Sequence, residues 1–135
     1  MKTEPCLRFD MRKYSWNLLE HQPRRITSVA DFELIPFLKN GESYIRGEEM
    51  LRRARGQNVD LSQEDAEWLL DHQHEIPEEF RTYYLLFLGS VWQIRNRDCF
   101  IPYLHWGDGK WCLSWVWLGC GWGSEGCFLR LRKAA

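Results

Sequence analysis

The sequence predicts an α+β fold: an N-terminal mixed region with two short helices, followed by a four-stranded antiparallel β-meander. Three observations predict it. Residues 47–74 carry two stretches with apolar residues on helical spacing and helix-ending residues beside them. Residues 82–133 carry runs of Tyr, Phe, Trp, Val and Leu separated by polar or Gly-rich turns. Aromatic residues make up 15% of the chain, and six of its eight Trp fall between residues 92 and 122. At 135 residues the chain is the length of one domain. We divide it into a flexible stretch (1–13), a mixed helical part (14–80) and the aromatic meander (82–133).

Residues 1–13 mix charges and hold no apolar run. Tyr14, Trp16, Leu18 and Leu19 then form a short apolar element whose spacing suits strand and helix equally, and Pro23 closes it. In residues 26–38, Ser28 and Asp31 have the spacing of a helix cap, while Pro36 keeps any helix short or makes the segment extended. Asn40-Gly41 is a turn signal, and residues 43–45 suit a brief strand.

The first helix is expected at 47–56. Met50, Leu51 and Ala54 share a face, and Glu48–Arg52 and Glu49–Arg53 stand four apart with Glu first, the favourable order. Gly56 ends it. The second is expected at 62–74: Ser62 caps it, Glu64 and Asp65 occupy its positive end, and Ile76-Pro77 stops it. Ala66, Leu69 and Leu70 form its stripe. Trp68 lies off that stripe, so the N-terminal segment is expected to pack over a second face, the alternative being that Trp68 is exposed for a partner.

Strands follow at 82–94, with a bulge at Gly89-Ser90, and at 99–106, where Pro102 marks an edge or bulge. Residues 107–110, Gly-Asp-Gly-Lys, make a tight hairpin. Strands at 111–118 and 127–132 flank a Gly-rich loop, and the short links imply adjacent antiparallel neighbours. Along 111–118, Trp111, Leu113, Trp115 and Trp117 share one face and Cys112, Ser114, Val116 and Leu118 the other, so both faces are apolar.

Formal net charge is −1, which gives no global attraction to polyanions. The halves differ, however: residues 1–80 hold 11 Lys/Arg against 16 Asp/Glu, and residues 81–135 hold seven against three. No run has the roughly 18 apolar residues of a membrane span, so no membrane partner is expected. Residues 1–13 do not read as a signal peptide. Five cysteines, an odd number, then point to a reducing, cytoplasmic setting with free thiols.

Cysteine spacing lacks the Cys-x-x-Cys pattern of structural zinc sites, and His72 and His74 project to different sides of a helix. His105, Asp108 and Cys112 flank a hairpin, where proximity is automatic, so a cross-strand packing pair explains them. No phosphate loop or nucleophile elbow is present. No catalytic residue, metal or cofactor is assigned. The expected function is a small non-enzymatic protein-interaction module, acting on a protein partner or by self-association as a homodimer. The alternative is single-stranded nucleic-acid binding by the basic, aromatic strands. A further alternative is an enzyme or metal protein of unrecognised type. The candidate binding residues are Trp92, Trp106, Trp111, Trp115, Trp117 and Trp122, with Arg95, Arg97, Lys110, Arg130 and Arg132 around them.

Overall fold

The computed structural model describes residues 6–131 apart from 56, 58 and 125. Its strands are β1 (Asn17–His21), β2 (Phe32–Ile35), β3 (Ile45–Arg46), β4 (Tyr84–Leu86), β5 (Ser90–Gln93), β6 (Cys99–Gly107), β7 (Lys110–Trp117), β8 (Gly121–Trp122) and β9 (Gly126–Leu131). The helices are α1 (Gly47–Arg55) and α2 (Gln63–Asp71). Seven strands form one mixed sheet in the order β1-β5-β6-β4-β9-β2, with β7 on the other side of β6, and the sheet curls into a half-barrel. β3 and β8 pair separately.

The α+β class holds, and the simple meander does not. β9 skips β7 and inserts between β4, to which it runs parallel, and β2, to which it runs antiparallel. The Gly-rich link is the physical reason: it is long enough to pair Gly121-Trp122 with Ile45-Arg46 and carry the chain away from β7. The 82–94 run also splits. β4 and β5 lie along the same side of β6, and the pairing register slips between Leu86↔Tyr103 and Trp92↔Phe100. Residues 87–89 therefore loop out opposite Pro102, whose missing N–H faces that gap while its carbonyl accepts from Phe87 N–H at 3.1 Å. Gly89 sits in this loop, where a Cβ would come within 2.0 Å of the Asp60 carbonyl oxygen.

Both faces of the sheet are covered. On one, α2 packs with Leu61, Ala66 and Leu69 on Leu85, Leu104, Trp111 and Leu129. On the other, α1 packs with Met50 and Ala54 on Leu86, Ile101, Leu118 and Phe128. Adjacent residues such as Leu85 and Leu86, or Phe128 and Leu129, serve opposite cores, as the period of two requires. Each large apolar side chain buried this way contributes roughly 1.5–3 kcal/mol.

Ser62 and Asp65 form a reciprocal capping box at the start of α2, with Ser62 N–H donating to Asp65 Oδ2 at 2.9 Å. The other oxygen of Asp65 accepts from Arg25 N–H (2.7 Å) and Ile26 N–H (2.8 Å), which ties the segment after β1 to the helix. Flexibility expected for residues 1–13 falls partly on residues 1–5, which lie outside the described residues. From Leu7 onward the chain runs along α2: Arg8 N–H and Phe9 N–H donate to the Glu67 carboxylate at 2.8 and 2.9 Å. Trp68 is half-buried against the α2-side core and stacks on His72 at 3.8 Å, beside residues 6–8.

Candidate functional site

With both faces covered, the exposed feature of the aromatic strands is an edge. The β6–β7 hairpin turns at Asp108 and Gly109, both with positive φ (53° and 78°), the type I′ geometry that matches strand twist. β7 then pairs with β6 from Lys110 to Trp117 without a register break. Leu118 N–H donates inward to the Cys99 carbonyl at 2.9 Å. By alternation, the even-numbered residues of β7 direct their N–H and C=O groups to β6 and the odd-numbered ones direct theirs outward.

Of the outward groups, Trp111 N–H is capped by Gln73 Oε1 at 2.9 Å, and the Trp117 carbonyl accepts from Cys120 N–H at 3.1 Å. The N–H and C=O groups of Leu113 and Trp115 have no backbone or side-chain partner among the described residues. Trp117 is 43% exposed at the end of this strand.

The predicted site residues are not gathered into one aromatic platform. Trp92 is fully buried, Trp111 and Trp122 are buried, and Trp106 and Trp115 are half-buried, which leaves Trp117 as the exposed ring among the six. Trp106 lies under the Arg81 guanidinium, 3.7 Å from its ring centroid. The rows of the sheet align Leu18, Trp92, Phe100 and Trp117, and Trp16 packs over Trp92, Phe100 and Trp115 at centroid distances of 5.1–6.4 Å. Arg95 and Arg97 are exposed on the β5–β6 turn at the Trp117 end, and Lys110 is exposed at the opposite end of β7. Arg130 lies in β9, paired with Glu33, and Arg132 lies outside the described residues.

Two of these rings, Trp92 and Trp115, are held by Gln63, a residue the sequence does not single out. Its buried side-chain oxygen accepts from Trp92 Nε1–H (2.8 Å) and Trp115 Nε1–H (3.3 Å). Its amide nitrogen donates to the Phe9 carbonyl (2.7 Å) and to Glu67 Oε2 (3.1 Å). One side chain thus joins α2, β5, β7 and the N-terminal segment, with every hydrogen-bonding position engaged.

A second arrangement absent from the sequence signals lies nearby. Ser90 Oγ is 2.8 Å from His21 Nδ1, and His21 Nε2 is 2.7 Å from Glu64 Oε2. The spacing matches a nucleophile, base and orienting acid. Ser90, however, is fully buried, and its Oγ accepts the Gln63 backbone N–H at 2.8 Å. The trio acts as a clamp fixing β1 and β5 to the start of α2.

His105 and Cys112 are cross-strand partners, as hairpin geometry dictates, but His105 Nε2 lies 3.2 Å from Ser114 Oγ. Burial pushes the Cys127 thiol up to about 11 and raises Cys99 as well, the opposite of thiolate activation. Among the described residues, no group of three His, Cys, Asp or Glu side chains converges as a metal site would require. Among the described residues, no helix is long and apolar enough to cross a membrane. Comparison with protein-family models, curated proteins and solved structures finds no match to this chain.

Proposed function

We propose that the protein is a non-enzymatic interaction module that takes up an extended segment of a partner protein by strand addition along β7. The observation that carries this reading is the pair of outward residues, Leu113 and Trp115, whose main-chain groups have no partner among the described residues on an eight-residue strand. Main-chain hydrogen bonds give such an edge affinity, and alternate side-chain contacts give it selectivity. Trp117 supplies an exposed aromatic anchor of the kind interfaces favour. A cytoplasmic setting fits the same reading, because all five cysteines are free thiols.

Leu113→Pro tests it. Proline there removes an outward N–H and leaves the ladder to β6 intact, a position where strands tolerate it. The tagged chain is exposed to an extract of cells that also make an untagged copy. Wild type retains at least one protein, the untagged copy included, and Leu113→Pro retains it at least about tenfold less, with an unchanged circular dichroism spectrum. No retained protein, or equal retention by the variant, overturns the proposal.

Single-stranded nucleic-acid binding is the second reading. Its support is the exposed Arg95 and Arg97, whose side chains have no partner among the described residues, at the sheet end that holds Trp117, Phe100 and Trp16. Salt-sensitive quenching of Trp fluorescence by an oligonucleotide supports it, and no quenching at low salt rejects it.

A further inference from the structure

Resting on the strand-addition reading, we infer that the strand added to β7 is the β7 of a second copy of this chain, antiparallel about a two-fold axis through Ser114. The free groups themselves select this register. An axis through Ser114 sets Leu113 opposite Trp115 of the second copy, and Trp115 opposite its Leu113. The N–H and C=O groups that lack partners among the described residues of one chain then satisfy one another in four hydrogen bonds. An axis through Leu113 sets the free Trp115 carbonyl of the second copy against the Trp111 N–H, which Gln73 already holds. An axis through Trp115 sets the free Leu113 N–H against the Trp117 carbonyl, which Cys120 already holds. The Ser114 axis sets those two engaged groups opposite each other, so neither faces a free one.

Side chains agree with the main chain. Between Trp111 and Trp117 the strand carries no charged residue. The two Lys110 residues lie at opposite ends of the paired segment, each facing Leu118, so no like charges meet across the axis. The exposed Trp117 comes to rest beside Trp111 of the second copy, and Cys112 faces Val116. Such a pairing is isologous, using one surface twice, and closes at two copies. It joins two seven-stranded sheets into one.

Ser114 stands at a position where its own main-chain groups turn inward to β6, so the facing Ser114 residues form a non-hydrogen-bonded pair with Cα atoms about 4.5 Å apart. Cysteines at that separation can be bridged. The test has two arms. In light scattering from about 1 to 100 μM chain, wild type rises to twice the monomer mass and Leu113→Pro stays monomeric. In the second arm, Ser114→Cys in a Cys112→Ser background is treated with oxidised glutathione as electron acceptor. It forms a reducible covalent dimer, and the Cys112→Ser parent does not.

A wild type that stays monomeric throughout overturns the two-fold pairing. So does a dimer that Leu113→Pro leaves intact and Ser114→Cys does not trap. If wild type is monomeric while another protein is still retained in a Leu113-dependent manner, the second copy is excluded and strand addition by a different partner stands.

Discussion

Edge strands β1 and β7 bound the same sheet and treat their open sides differently. β1 is five residues long, breaks register between Leu18 and Glu20, and carries Glu20 and His21 along its length. Short length, irregularity and charge are the devices by which sheets refuse additional strands. β2, at the far end, is four residues long and runs into Pro36. β7 is eight residues long and regular, and it places its only charge at the hairpin turn. The contrast teaches that edge protection here is selective: the sheet is closed at two margins and open at the one that carries the tryptophans.

The largest expected effect comes from breaking what holds β7 flat against α2. Gln63→Ala leaves Trp92 Nε1 and Trp115 Nε1 without their acceptor and opens space in the core. A loss of about 3 kcal/mol is expected in urea unfolding. A loss below about 1 kcal/mol would show that the bridge from α2 to β5 and β7 is dispensable.

A smaller effect compares the edges directly. Trp117→Lys gives β7 a protective charge of the kind β1 already has, and should weaken self-association at least about tenfold, or ~1.4 kcal/mol. Leu19→Lys, at an equally exposed site on β1, should leave association unchanged. Equal effects from the two substitutions would erase the distinction between the edges.

The smallest concerns the acid response of the α1 side. Hydrogen bonds from Arg53 hold Glu42 at about 2, and those from Arg52 and Arg53 do the same for Glu49. A carboxylate depressed in the folded state lends stability above its unfolded value of 4.5 and loses it as pH falls toward 2. Melting temperature should therefore decline through that window, and less steeply in Arg53→Met. Both carboxylates are solvent-facing, so salt should flatten the response. A wild-type profile parallel to that of the variant would remove Arg53 from the account.

Local features were legible in the sequence because local chemistry decides them. Ser62 and Asp65 set the start of α2, Asp108-Gly109 sets a hairpin, and alternation along residues 111–118 separates two apolar faces. Pairing partners were not legible. β9 has the same two-faced pattern as a strand beside β7, and what sends it to β4 and β2 is long-range: the Gly-rich link paired with β3, and the places Phe128 and Leu129 take in the two cores. The aromatic excess suits a two-sided core and a binding surface alike in the sequence, and in the fold Trp92, Trp111 and Trp122 are packing while Trp117 is exposed. Gln63 carried no signal, since glutamine in a first helical turn is ordinarily solvated. The open edge of β7 followed from alternation only once β9 was known to lie elsewhere.

The insertion of β9 between β2 and β4 also bears on synthesis. Phe32 must wait for Leu131, and Tyr84 for Gly126, before the sheet can be completed. Until residues 126–131 emerge, a growing chain holds β2 without a neighbour and β4 bare on one side. The β6–β7 hairpin, whose partners are close in sequence, can already be formed at that stage. A folding chain therefore passes through a stage in which β2, β4 and β7 are all bare, and the docking of β9 between β2 and β4 is the late event that makes the sheet whole.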